Sequence, residues 1–326
     1  LLDFAGKRWW YLTVSLVLFL IAAAALSVWQ LKAGIEFTSG SSFTLEFTSR
    51  EVSQSELRST LSDLGHPESR VQGAGTNTYL IRTRELAGAP NLGDAAGPTP
   101  PGEIDTLEQG LRKKLGDFSR RDFATVSGTV SKEIARDATA AVVVASIAIL
   151  IYISIAFRRL PKAYRYGTCA IIAVLHDAFI ILGLFAFLGE FNDTEVDTAF
   201  ITALLTVIGF SVHDTIVVFD RIRETIVNDP YIPFEEAVNA SMTETLARSI
   251  NTSLVVVLTV LAMLLIGGVT IRNFLIVLLV GIISGTYSSI AIASQLLVAW
   301  ENNDIGKFFR RIRGHRQEQE LDAEPA

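Results

Sequence analysis

The chain of 326 residues is half hydrophobic, only 19% of it is charged, and its formal net charge is −6; mean hydropathy is positive. This balance excludes a soluble enzyme and points to a membrane protein, and nothing in the charge pattern resembles a nucleic-acid-binding surface. A single cysteine, Cys169, excludes an internal disulfide framework and a cysteine-based metal site; it reads as a small buried hydrophobe.

Residues 1–31 comprise an N-terminal segment and a first apolar run over 9–31, which follows Lys7 and Arg8. The Ala-rich patch at 22–25 suggests a cleaved signal peptide as a competing reading. The run is longer than the roughly 7 to 15 residues of a signal core, which favours an uncleaved anchor. The chain opens on Leu1 rather than Met, which leaves open an upstream start or a fusion.

Residues 32–136 are expected to form one small domain outside the membrane. Phe43, Leu45 and Phe47 alternate with polar residues as a half-buried strand does, and 53–64 carries apolar positions at helical spacing after a serine cap. A hairpin is predicted from Val71 to a strand over 79–83, across a turn-rich 73–77. The Gly-, Pro- and Ala-rich stretch 87–102 reads as an excursion. Helical spacing returns over 103–115, and 123–130 reads as a last strand. The order βαββαβ predicts an α+β ferredoxin-like sandwich. It contains no evident catalytic set, and binding or mechanical use is expected of it.

Residues 137–300 contain five further apolar runs, at 137–157, 167–188, 198–219, 253–271 and 274–300. Each is long enough to cross about 30 Å of hydrocarbon at about 1.5 Å per residue. The predicted fold class is therefore an α-helical membrane protein with six transmembrane helices and one extracytoplasmic α+β domain between the first and second. Arg158, Arg159, Lys162 and Arg165 fill one short connection, whereas 189–197 has no Lys or Arg and four acids. By the positive-inside rule the first is cytoplasmic and the second outside. Both termini then face the cytoplasm, including the tail 301–326 with its basic cluster at 307–316. The connection 220–248 is the weak case, with Arg221, Arg223 and Arg248 among six acids.

Asp214, with His213 before it and Thr215 after it, lies in an otherwise apolar span. A charge at the bilayer centre costs roughly 2.5 to 3.5 kcal/mol even on a lenient scale, so such a residue usually has a partner and a task. Asp177, preceded by His176, sits near mid-depth of the third span. Arg248 opens the fifth, with Asn251 and Thr252 on its helical face. If Arg248 reached Asp214 its charge would stabilise the carboxylate, whereas desolvation alone would hold the acid neutral. From the residues alone, a proton relay at Asp214 and a static ion pair with Arg248 stand equal. Asp177 fits a structural hydrogen-bonding role. His176 and His213 are candidate shuttles but more often satisfied interior groups. Neighbouring His and Asp residues point about 100° apart on a helix, which disfavours a metal site, and no cofactor is expected. Gly281, Gly285, Ser289 and Ala293 form a small-residue stripe at spacing four. It reads as packing within the bundle rather than a subunit contact.

Residues 209–224, Gly-Phe-Ser-Val-His-Asp-Thr-Ile-Val-Val-Phe-Asp-Arg-Ile-Arg-Glu, closely resemble the signature of the SecF family of bacterial protein-export subunits. Leu-His-Asp at 175–177, Arg-Ser-Ile-Asn-Thr-Ser at 248–253 and Gly-Ile-Glu-Phe-Thr-Ser-Gly at 34–40 match the family in the same order. The resemblance covers the chain from the first span to about residue 300. It implies membership of the resistance-nodulation-division superfamily and pairing with SecD as half of a twelve-helix unit. It also implies an accessory role beside the SecYEG channel, with proton flow driving late steps of export of unfolded preprotein emerging on the outer face. The implied location is the bacterial cytoplasmic membrane, in contact with its lipids. Asp214 then matches the family's essential membrane aspartate and Arg248 its functional arginine. Glu36 and Ser39 depart from the family's usual Gly-Ile-Asp-Phe-Thr-Gly-Gly, and His213 stands where Asn is common. Two rival readings are a half-size small-molecule or lipid exporter of the same superfamily, and a structural assembly factor with Asp214 and Arg248 as its lock.

Overall fold

The computed structural model describes residues 3–87, 102–156, 158, 162–268 and 271–304. Most of the predicted excursion at 87–102 and the basic cluster at 307–316 lie outside them. The first apolar run is helix α1 (Arg8–Trp29). It is packed into the bundle, with Trp29 edge-on to Phe187 and Phe191. A Cβ added at Gly183 would come within 2.4 Å of Ala22, so α1 and the helix carrying Gly183 touch almost backbone to backbone.

After α1 comes a single turn, α2 (Ile35–Thr38). The chain then enters a four-stranded antiparallel sheet of order β2-β3-β1-β4. In β1 (Gly40–Phe47) the apolar residues Phe43, Leu45 and Phe47 are buried, as the alternation predicts. Helix α3 (Gln54–Asp63) starts where Ser53 Oγ accepts the Glu56 N–H at 3.2 Å, a serine cap. Strands β2 (Arg70–Gly75) and β3 (Thr78–Thr83) form the hairpin. Helix α4 (Glu103–Leu115) buries Ile104, Leu107, Leu111 and Leu115 against the sheet together with Leu57 and Leu61 of α3. The last strand, β4 (Phe118–Val126), differs from the predicted 123–130, because residues 128–130 already belong to the next helix. The polar run Ser119 to Asp122 hid its first half. β4 is an edge strand, where outward charges are tolerated and discourage pairing with other chains.

Among the described residues, six helices are long and apolar enough to cross a membrane. After α1 these are α5 (Gly128–Ala156), α6 (Ala163–Asn192), α7 (Thr198–Asn228), α8 (Phe234–Ile266) and a broken last span. The last consists of α9 (Arg272–Ser288), a π turn (Ser289–Ala293) and α10 (Ser294–Glu301). Helices α7 and α8 run well past their apolar windows, so the expected connection 220–248 shrinks to 229–233. Loss of hydrophobicity marks the membrane edge and not the helix end. Beyond that edge Arg221 pairs with Glu224 at 2.6 Å and with Glu244 across to α8.

At one end of the bundle Arg8 pairs with Glu235 at 3.0 Å and with Asp304 at 2.8 Å, and Lys162 and Arg165 both reach Glu301. We call this the terminal end. At the opposite end the sheet rests on the α6–α7 loop. Gly34 N–H donates to the Val196 carbonyl and Val196 N–H to the Lys32 carbonyl, both at 2.8 Å.

Candidate functional site: two carboxylates held by serines

Inside the bundle α7 and α9 approach closely because α9 presents glycine to α7. A Cβ at Gly281 would lie 2.3 Å from a Val207 methyl, and one at Gly285 3.1 Å from Ser211 Cβ. Ser289, the next member of that stripe, reaches Asp214 of α7. The small-residue stripe therefore faces α7 within the same chain, and at this separation short hydroxyl side chains span the gap.

Asp177 on α6 is 1% exposed. Its carboxylate accepts from Ser211 Oγ on α7 at 2.7 Å, and from Ser284 Oγ at 2.7 Å and Ser288 Oγ at 2.6 Å on α9. His176 Nδ1 lies 3.3 Å away, while its Nε2 is buried without a partner. Asp214 is 8% exposed and accepts from Ser249 Oγ of α8 at 2.6 Å and Ser289 Oγ at 2.5 Å. Among the described residues no Lys or Arg forms an ion pair with either acid. Thr215 is buried and donates to the Ser211 carbonyl at 3.0 Å.

The sequence placed Arg248 within possible reach of Asp214, but the structure does not bring them together. Arg248 is exposed and lines an open recess of about 380 Å³ with Asp220, Arg221, Glu224 and Glu244. Asn251 and Thr252 share its outward face, and Thr252 Oγ1 donates back to the Arg248 carbonyl at 2.8 Å. His213 is also exposed. The inward position on α8 belongs to Ser249, one residue and about 100° further round the helix. Sequence reasoning missed Ser211, Ser249, Ser284 and Ser288. A signal was present, since 249 and 253, and 284 and 288, place hydroxyls at spacing four in apolar spans.

Contacts such as those of Glu195 elsewhere in the chain supply a guanidinium countercharge, whereas the donors to Asp214 are hydroxyls. Hydroxyls both donate and accept, so the same serines can serve the charged and the neutral acid. The last span adds a π turn at this depth. Two side chains at the start of α10 reach back to carbonyls of the π turn, Ser294 Oγ donating to Ser289 at 2.9 Å and Gln295 Nε2 to Ile290 at 3.2 Å. Such turns are rare and often sit at functional sites.

A contrasting cluster lies at the sheet end. Glu195, 2% exposed, is gripped by Arg70 at 2.8 Å and Arg82 at 3.3 Å, both from the sheet. Asp193 takes Arg58 and Lys32, at 2.5 and 3.1 Å. Burial pushes the Glu195 carboxyl above the ordinary glutamate value, with Arg82 and Arg70 pulling it back. Burial likewise raises Glu36 nearby.

Among the described residues, six helices able to cross a membrane, four of which supply or hold the two acids, define a multi-pass membrane protein with a polar centre. The model of the protein export membrane protein SecD/SecF C-terminal family matches residues 106–303. A protein translocase subunit SecF of Thermobaculum terrenum is 42% identical over 95% of this chain and 98% of its own length. A protein translocase subunit SecDF of Bacillus subtilis is 35% identical over 94% of this chain. The crystal structure of SecDF, a translocon-associated membrane protein from Thermus thermophilus, superposes with a TM-score of 0.77 at 32% identity over 92% of this chain. The chain spans 39% of each of these two SecDF chains. The chain belongs to the SecD/SecF family of protein export membrane proteins. Its place is therefore in Sec-dependent protein export, and relatives that carry SecD and SecF on one chain support a SecD partner.

Proposed function

We propose that the chain is the SecF-type half of a SecD–SecF unit that uses the proton motive force to promote late steps of export, with Asp214 as its proton-carrying acid. The single observation that carries the reading is the setting of Asp214, a buried carboxylate between three helices with serine hydroxyls as its donors. Protonation removes the acid's demand for two O–H donors, which alters what holds α7 to α8 and α9. Arg248, in the recess at the terminal end of α7 and α8, is the permanent cation beside the route by which protons reach or leave that depth. Thr215, His176, His213, Asn251 and Thr252 are auxiliary polar groups, and Gly281, Gly285 and Ser289 set the helix spacing. Asp177 is the better-tethered partner acid.

In this reading residues 1–31 are an N-terminal segment and anchor, 32–136 a ferredoxin-like extracytoplasmic domain, 137–300 the five-helix remainder of the bundle, and 301–326 a cytoplasmic tail. The terminal end, where Arg8, Lys162 and Arg165 cluster, faces the cytoplasm. The sheet meets unfolded preprotein leaving SecYEG. One proton crossing 100 mV supplies about 2.3 kcal/mol, enough to bias a two-state equilibrium nearly fiftyfold. A static lock between Asp214 and Arg248 is disfavoured by the exposed, separate position of Arg248.

The test is gradient-dependent release of a secreted preprotein from membrane vesicles carrying the native chain or Asp214→Asn, each with its SecD partner. Loss of gradient dependence with normal assembly is expected; unchanged release overturns the reading.

A further inference from the structure

Ser288 and Ser289 are consecutive in the chain, yet each holds a different buried acid. Ser288 Oγ donates to Asp177 Oδ2 at 2.6 Å, and Ser289 Oγ to Asp214 Oδ2 at 2.5 Å. They sit where α9 gives way to the π turn. Each hydroxyl also has a second acceptor in its own helix: the Gly285 carbonyl at 3.2 Å for Ser288 and the Thr286 carbonyl at 3.0 Å for Ser289. A hydroxyl that loses its carboxylate is therefore not orphaned, because it can turn to the backbone three residues back.

We propose that Ser288 and Ser289 are a two-sided positioning element, through which a change of protonation at Asp214 alters the hydrogen bonding of Asp177, and the reverse. The proposal rests on the reading of Asp214 as a titrating acid. The two serines share one stretch of backbone, and hydrogen bonds weaken steeply once donor and acceptor part beyond ordinary contact. A shift of the junction that takes Ser289 from Asp214 thus also moves Ser288 against Asp177. The π turn supplies the slack for that shift, since its wider winding breaks the regular α register immediately after Ser288. Ser284, the other α9 donor to Asp177, lies one turn away from the junction and is not part of the element.

The titratable groups on the packed elements are few. His176 adjoins Asp177 on α6, and His213 adjoins Asp214 on α7 but faces outward. Arg248 on α8 is at the surface. Tyr287 on α9 turns its hydroxyl to Ser15 Oγ and the Tyr11 carbonyl of α1. None of them joins the two acids.

The experiment is pH-difference infrared spectroscopy of the full chain with its SecD partner in liposomes, with carboxyl bands assigned by Asp177→Asn and Asp214→Asn. In the native background Asp177→Asn is expected to move the half-titration pH of Asp214 by on the order of half a unit or more. Asp214→Asn is expected to move the half-titration pH of Asp177 by a comparable amount. With Ser288→Ala or, separately, Ser289→Ala, that mutual shift falls to less than half, while Ser284→Ala leaves it intact. Equal shifts in all backgrounds would mean direct charge interaction and overturn the proposal, as would no shift in the native chain. Either serine variant reads the coupling, so failure of one to fold leaves the other decisive. No preprotein or gradient is involved, so failed gradient dependence of export and failed coupling are separate results.

Discussion

The chain buries carboxylates in two places and treats them in opposite ways. At the sheet end Glu195 is gripped by Arg70 and Arg82, whereas in the bundle Asp177 and Asp214 face serines and no described arginine or lysine. The arginines give Glu195 a countercharge that offsets part of the cost of its burial. The serine hydroxyls position the bundle acids without a countercharge. The contrast separates the two settings more sharply than burial does, since both kinds of acid are almost inaccessible.

Replacing the bundle acid that has most donors should have the largest effect. Asp177→Leu leaves Ser211, Ser284 and Ser288 without their carboxylate and should cost about 3–5 kcal/mol, read as a fall in thermal midpoint of the detergent-solubilised chain. Asp177→Asn keeps an acceptor oxygen and should cost well under half of that. At the sheet end Arg82→Ala leaves Glu195 with one partner in a buried site and should weaken docking of the sheet by about 2–4 kcal/mol. Hydrogen exchange over β2 and β3 would report it, and unchanged protection would make the Arg82 contact incidental.

The pH dependence of docking follows from Glu195. Its carboxyl is raised above the ordinary value of 4.5, chiefly by burial. The contribution to docking is then fully present below about 4.5 and lost as pH rises through the raised value, because the docked state holds the proton longer. Protection of the 193–197 loop should increase as pH falls from neutral. Glu195→Gln, a permanent neutral form, should flatten the curve while keeping most of the docking. The smallest effect is expected at Ser39, whose φ of 65° and ψ of 160° lie in a region natural to glycine. Ser39→Gly should stabilise the chain by about 1 kcal/mol, measurable as a rise in midpoint.

Much of this was legible in the residues, for reasons that differ by region. The spans announced themselves through hydropathy, and the first five sheet-unit elements through alternation in β1 and the Ser53 cap of α3. The start of β4 was not legible, because an edge strand can carry Arg120 and Arg121 outward and so loses the apolar signal. Asp214 and Asp177 stood out as acids in apolar helices. Their partners did not, because a serine in such a helix can satisfy itself on its own backbone and needs no second helix. Arg248 attracted attention as the available cation. Helix phase decides otherwise, putting Ser249 inward and Arg248 out.

The loop at 193–197 has one further consequence. Asp197, whose Oδ1 accepts the Phe200 N–H at 2.7 Å, starts α7 immediately after Val196, the residue stitched to Lys32 and Gly34. From Asp197 to Asp214 the chain is one unbroken helix, about 25 Å at 1.5 Å per residue. The stretch ties the loop under the sheet to the acid through a single helix, with no loop or break between them.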